Sequence, residues 1–428
     1  MFKVLVIANN YPPLGLSGVK RTLKFTKYMK NYNWEPTVIT TGNIGFNPLD
    51  LGLLKEAENA GIQIIRTEQF NLQGIINKQN TPVSIPRVFL RNTISKISKA
   101  VFIPDNKKNW AKKAYKAARE ILQKEKYDLV YVPVPSYSSF VYASKLKKEF
   151  GITLFVDYNN LWLGNPFNFS LTPYHKYLNK KLEYTALRTV DKVIVNNRKK
   201  KENLLLFYPL LHYEEVLIIP NGYDPADFEN ESDIVESSSK MKLTYAGILN
   251  EYFTAEYFLK AFKQLSNERP DIAAGIELEF IGILSKENKK LIKELGITEF
   301  IKDHGYLEYS EVLKKLKSSD VLWIMVDKIF NSDTISSEKL ADYFGSKKPV
   351  LGCLPEGPEK QSLKEYGASF LTKPDDIQEI CDVLIQIHRL YNQKQLPEPN
   401  QEFLVKYNVV NLTEQLTKAF QFYLKAEE

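Results

Sequence analysis

A chain of 428 residues, 44% hydrophobic and 25% charged, is too long for one ordinary core and too well mixed for extended disorder. Its two cysteines, Cys353 and Cys381, exclude a disulfide framework or a thiolate metal site of their own and fit a reducing cytoplasm. The net charge of +7 hides an asymmetry: residues 1–220 hold 33 Lys and Arg against 16 Asp and Glu, whereas residues 221–428 hold 25 against 35. The first half is thus expected to face an anionic partner. No zinc-finger spacing or RNP-like strand points to nucleic acid, which leaves an anionic membrane surface or a plainly solvated helix face. No N-terminal signal is visible, and no apolar run approaches the ~20 residues of a membrane span.

In chain order, Phe2 to Ala8 (FKVLVIA) reads as a buried strand, ended by Asn9–Asn10 and Pro12–Pro13. A loop with Gly15 and Gly18 follows, then Lys20 and Arg21 open a helical pattern over 18–31. Ligands of open parallel sheets bind beyond the strands' carboxyl ends, so residues 11–21 stand where a phosphorylated or sugar ligand would sit, although a plain strand–helix connection has the same pattern. Further strands are predicted near 36–40, 62–65, 128–133, 152–156 and 192–196, with helices at 108–125, 137–150 and 173–189. Lysines crowd 107–126, and 67–105 reads as an irregular, aromatic-rich excursion. Pro220-Asn221-Gly222 marks a turn, and 229–240 reads as an acidic linker. The alternation then restarts, with strands near 241–246, 277–282, 299–303, 320–325 and 348–353 and helices at 254–266, 286–295, 309–317, 337–346, 375–391 and 410–424. This is an α/β chain of two doubly wound parallel-sheet domains, and a ligand is expected in the cleft between them.

Ser336 to Leu351 (SSEKLADYFGSKKPVL) starts a helix carrying Glu338, Lys339 and Asp342. A carboxylate there can accept from a ribose diol, and the lysine with the free helix N–H groups can meet a diphosphate. A capped surface helix has the same pattern.

Seven short motifs in order then resemble one family. They are Tyr11 to Thr40 (YPP…SGVKRTLKFTKYM…WEPTVIT), Phe102 to Asp105 with Trp110, and Asp157 to Trp162 (DYNNLW). Leu182-Glu183 with Asp191 to Val193, IPNGYD at Ile219 to Asp224, Tyr245 to Gly247, and SEKLADYFGSKKPVL complete the set. Together they resemble a family 4 glycosyltransferase of the GT-B fold, in the branch that builds bacterial surface polysaccharides. The resemblance implies Rossmann-like domains at 1–222 for the acceptor and 223–408 for a nucleotide-sugar donor, with a helix at 409–428 packing back on the first.

It further implies donor contacts at Gly18, Gly247, Ser337, Glu338, Lys339 and Asp342, acceptor contacts at Asn159, Asn160 and Trp162, and catalytic roles for Asp157, Lys20 and Arg21. Asp342 replaces the family's glutamate and is one methylene shorter. Ile248 replaces the usual arginine after the opening glycine, the usual lysine is missing from 249–254, and DYNN replaces DFRD. The implied reaction is retaining transfer from a nucleoside-diphosphate sugar to a saccharide or lipid-linked saccharide. No cofactor is expected and, as no DxD triplet occurs, no metal. A cytoplasmic protein, peripheral at the inner membrane face, is expected. The rivals are a nucleotide-sugar epimerase, which needs acid/base groups that DYNN does not offer, and a non-catalytic saccharide or partner-transferase binder.

Overall fold

The computed structural model describes residues 1–16, 18–42, 48–68, 102–165, 172–229, 240–249, 254–328 and 331–427. Most of the expected excursion at 67–105, of the acidic linker at 229–240 and of the lysine-poor stretch at 249–254 lies outside the described residues. By internal packing the chain divides into two compact units, Met1–Pro220 with Thr413–Glu428, and Asn221–Leu412.

Among the described residues the first unit has seven parallel strands: β1 (Phe2–Ile7), β2 (Trp34–Thr40), β3 (Gln63–Arg66), β4 (Leu129–Val134), β5 (Thr153–Tyr158), β6 (Lys192–Val195) and β7 (Val216–Ile218). Their order across the sheet is β3-β2-β1-β4-β5-β6-β7. β1 pairs with β2 on one side and with β4 on the other, so the chain reverses its winding at β1/β4. The inner strands β1, β4 and β5 are buried on both faces, which is why they read as apolar runs. Leu5, Val130, Val132, Leu154 and Val156 point to one face, under helices Lys108–Lys124, Tyr137–Phe150 and Pro173–Leu187. On the other face lie helix Val19–Met29 and the end of the last helix, Val409–Glu427, whose Phe420 ring meets Trp34 and Phe155 edge-on at 5.2 and 4.9 Å.

The second unit repeats the plan with β8 (Met241–Leu249), β9 (Ile276–Leu284), β10 (Ile301–Asp303), β11 (Val321–Met325), β12 (Val350–Cys353) and β13 (Ser369–Thr372). The order β10-β9-β8-β11-β12-β13 places its winding reversal at β8/β11. Helices Glu256–Glu268 and Ile377–Asn392 pack together on one face, and Tyr309–Ser318 with Glu338–Ser346 on the other. Helices Leu51–Asn59, Arg198–Phe207 and Pro358–Tyr366 and strands β7 and β13 were not anticipated from the pattern.

Candidate functional site in each unit

The loop after β1 is fixed before it reaches its glycines. The Tyr11 hydroxyl is 2.8 Å from Thr26 Oγ1 in the buried interior, and the Asp50 N–H donates to the Pro13 carbonyl at 2.8 Å. Gly18 then takes φ of 85° as the N-cap of helix Val19–Met29. A side chain is strained in that conformation, and a Cβ there would lie 3.4 Å from the Asn159 amide. The loop glycine and the segment after β5 are therefore neighbours. Lys20 is half-buried in the first turn of the same helix.

Arg21, one position on, is buried in a closed set of acceptors. Its Nε donates to Asp157 Oδ2 at 2.8 Å and its Nη2 to Oδ1 at 3.2 Å. Nη2 also reaches the Ile219 carbonyl at 2.9 Å, and Nη1 the Pro220 carbonyl at 2.8 Å. Asp157, 1% exposed, receives the Tyr131 hydroxyl at 2.5 Å as well. Burial, and then the neighbouring carboxylate, hold the Tyr131 phenol well above its ordinary value, so it stays a donor. Two of the three residues expected to be catalytic, Arg21 and Asp157, thus form a buried ion pair that ties helix Val19–Met29 to the ends of β5 and β7.

The acceptor candidates separate. Asn159 is buried; its amide oxygen accepts from Asn196 Nδ2 at 3.1 Å and its carbonyl from Lys200 Nζ at 2.5 Å. Lys200 is itself 3% exposed and also donates to Asn196 Oδ1 at 2.8 Å. Asn160 stays half-buried at the edge. Trp162 requires a correction. It is 3% exposed, stacks on Tyr137 at 4.9 Å and gives its indole N–H to Asn179 Oδ1 at 3.0 Å. It is a packing residue with no face for an acceptor.

Below this segment Glu183 is fully buried. It accepts from the Tyr208 hydroxyl at 2.7 Å, the Tyr158 hydroxyl at 3.1 Å and the Leu163 N–H at 3.1 Å. Burial outweighs those bonds and pushes its carboxyl up to about 8. A carboxyl whose folded value exceeds its unfolded one favours folding at low pH, and that advantage is lost as pH rises to about 8. Between about pH 5.5 and 8.5 the loss from this group is about 3 kcal/mol. Glu183→Gln can keep the three contacts with a neutral side chain. Urea melts at the two pH values should show the wild type losing more stability than the variant; equal slopes would refute the protonated carboxyl.

Asp105, from the second motif, caps helix Tyr137–Phe150 after β4. It accepts from the Ser138 N–H at 3.0 Å and the Ser138 hydroxyl at 2.7 Å.

In the second unit the matching position is the end of β8. Gly247, at φ 144°, pairs with Gly282 of β9. A Cβ on Gly282 would stand 2.1 Å from the Gly247 oxygen, so the strands meet backbone to backbone. Lys339 lies against this spot, its Nζ 2.9 Å from where a Gly247 Cβ would be. The ammonium donates to the Tyr245 hydroxyl at 2.5 Å and sits 4.3 Å from that ring's centre. Burial pushes Lys339 down to about 8, opposed by the Glu359 charge. Ser337 caps helix Glu338–Ser346 by accepting from the Lys339 N–H at 3.3 Å, and its own N–H donates to Glu359 Oε1 at 2.6 Å. Glu338 is half-buried at the first helical position. Asp342 is one turn further on, its Oδ1 receiving the Tyr309 hydroxyl at 2.9 Å, with Asp227 Oδ2 3.0 Å from the same hydroxyl. One hydroxyl proton serves both carboxylates. Ile248, where the resemblance expects an arginine, is exposed.

The structure therefore gathers Gly247, Ser337, Glu338, Lys339 and Asp342 at one end of the second sheet, and Gly18, Lys20, Arg21, Asp157, Asn159 and Asn160 at one end of the first. Lys200, Tyr309 and Glu359 were missed. Lys200 sits in a run of four cations, Arg198 to Lys201, that looks like a solvated face.

Residues 81–227 match the family described as Glycosyltransferase Family 4. No curated protein matches the chain by sequence. Solved structures share its GT-B fold over nearly the full length. A glycosyltransferase from Rickettsia africae is similar with a TM-score of 0.66 and 14% identity, over 99% of each chain. Anabaena HepE in complex with UDP is similar with a TM-score of 0.64 and 14% identity, over 98% of this chain and 100% of its own. A sucrose-phosphate synthase from Thermosynechococcus elongatus gives 0.68 and 13% identity, over 100% of each chain. At such identities the likeness to these GT-B proteins is one of fold. Among the described residues of this GT-B chain, no helix is long and apolar enough to cross a membrane.

Proposed function

We propose that the chain transfers a sugar, with retention at the anomeric carbon, from a nucleoside-diphosphate sugar to a saccharide or lipid-linked saccharide of the cell surface. The observation that carries this is Lys339, a half-buried ammonium held against the bare backbone of Gly247 at the winding reversal of the second sheet. A cation there, with the N–H groups of helix Glu338–Ser346 beside it, fits a diphosphate. Asp342, one turn further along the same helix, supplies a carboxylate suited to a ribose hydroxyl. The match to Glycosyltransferase Family 4 over 81–227 and the UDP held by the similar Anabaena structure support the same reading.

In this mechanism the donor's own phosphate takes the acceptor proton on the face the leaving group departs from. The protein positions the reactants and stabilises charge on that phosphate through Lys339. Asp157 and Arg21 act as a positioning pair that holds the Gly18 loop. No metal is needed where an ammonium meets the diphosphate.

The test is a thermal-shift panel of nucleotides and nucleotide sugars with and without chelator. One diphosphate family at 100 times its dissociation constant should stabilise by about 2.7 kcal/mol, a shift of several degrees, unchanged by chelator. No shift with any nucleotide would overturn the reading in favour of a non-catalytic binder, and a shift abolished by chelator would overturn metal independence.

A further inference from the structure

Helices Lys108–Lys124, Tyr137–Phe150 and Pro173–Leu187 pack side by side over one face of the first sheet. The lysine-rich helix Lys108–Lys124 presents cations, but its large apolar side chains face inward. Helix Pro173–Leu187 differs. Its outward face carries Tyr174, Tyr177 and Tyr184, which are 65%, 59% and 44% exposed. Between them stand exposed Lys176, Lys180 and Lys181, and exposed Arg188 caps the end. The helix's one acid, Glu183, is buried on the opposite side. Lys145 and Lys148 of the middle helix and Lys112, Lys113 and Lys116 of the outer one continue the exposed cationic surface.

Three wet phenols spread over about 15 Å of one helix are unusual on a free surface, where large aromatic side chains are mostly covered. A phenol has an apolar ring and a polar tip, and both are satisfied at the boundary between headgroups and acyl chains. Lysine stems lie along such a boundary while their ammonium groups reach lipid phosphate. The helix also packs on the segment that follows β5: Asn179 on it accepts the Trp162 indole N–H at 3.0 Å, and its Glu183 accepts from the Tyr158 hydroxyl at 3.1 Å.

We propose that this face docks on an anionic lipid bilayer through helix Pro173–Leu187, with the tyrosine rings at headgroup level and the lysines on lipid phosphates. Docking puts the Asn159–Trp162 segment at the lipid surface and selects acceptors carried in the membrane. In that last respect the inference rests on the transferase reading.

The test is flotation of the full chain with vesicles of phosphatidylcholine, alone or with about 30% phosphatidylglycerol, at about 50 mM salt. The expected result is at least about tenfold stronger partition onto the anionic vesicles. The triple variant Lys176→Glu, Lys180→Glu, Lys181→Glu should lose about tenfold or more of it. The triple variant Tyr174→Ser, Tyr177→Ser, Tyr184→Ser should lose the binding that survives about 200 mM salt. All six positions are exposed, so unchanged melting temperatures should confirm intact folds. Variants that float like the wild type would overturn the proposal, as would displacement of the wild type from vesicles by a single-stranded oligonucleotide that the same variants no longer bind. Nucleotide-induced thermal shifts measured on these proteins separate the two readings: their absence sinks the transferase reading and leaves the vesicle result standing.

Discussion

Asp157→Ala is expected to destabilise the first unit by about 3–5 kcal/mol, because it leaves a guanidinium buried without its carboxylate. Arg21 keeps the Ile219 and Pro220 carbonyls, but these dipoles do not neutralise it, and Tyr131 loses its acceptor. In a unit of this size the loss corresponds to a fall in melting temperature on the order of 10 °C. A double variant, Arg21→Met with Asp157→Leu, should be less destabilised than the sum of the single changes, since it removes the charge along with its partner. Differential scanning calorimetry on the three proteins checks this, and additivity of the single changes would show that the pair is not coupled. The variant also separates two roles. A residue that only held the acceptor would cost activity and leave the melt unchanged.

Lys339→Met should have the opposite signature. Folding holds the Lys339 ammonium down at about 8, below the value of a solvated lysine, so keeping it charged at neutral pH costs the free protein stability. A bound diphosphate offsets that cost. The variant is therefore expected to melt higher than the wild type without ligand, to gain nothing from nucleotide, and to lose about 10²–10³-fold in kcat/KM. The sign of the pH dependence follows. Below about 8 the ammonium is present and donor binding is flat with pH; above it, binding requires proton uptake and weakens up to tenfold per unit. Nucleotide titration calorimetry in buffers of different ionisation enthalpy should show that uptake above pH 8 in the wild type and none in the variant. Full nucleotide stabilisation in Lys339→Met would end the assignment.

Local signals carried the sheet order's raw material but not the contacts made across it. The run FKVLVIA was legible as a buried strand because both its faces are covered, and Gly18 because its positive φ marks a turn. Helix Arg198–Phe207 was not, since RKKK reads as a solvated charge run; the Asn197 side chain starts the helix by accepting from the Lys200 N–H at 2.8 Å, and the fold turns Lys200 inward. At the site, SEKLADYF announced its cap and its lysine through local spacing. The partners did not announce themselves: Arg21 and Asp157 are 136 residues apart, Tyr309 and Asp342 are 33 apart, and no periodicity links such pairs. Trp162 was placed at the acceptor by resemblance alone, and the stacking on Tyr137 and the bond to Asn179 that bury it leave no local signal in the sequence.

The cap on helix Tyr137–Phe150 has a consequence for what the first unit selects. The anion-attracting end of that helix, after β4 at the winding reversal, is filled by Asp105 of the same chain. A tethered carboxylate competes at an effective concentration in the millimolar range or above, so a free phosphate or carboxylate meets an incumbent rather than an open berth. Uncharged hydroxyls face no such rivalry. Prior occupation thus screens ligands by charge at this point of the first unit.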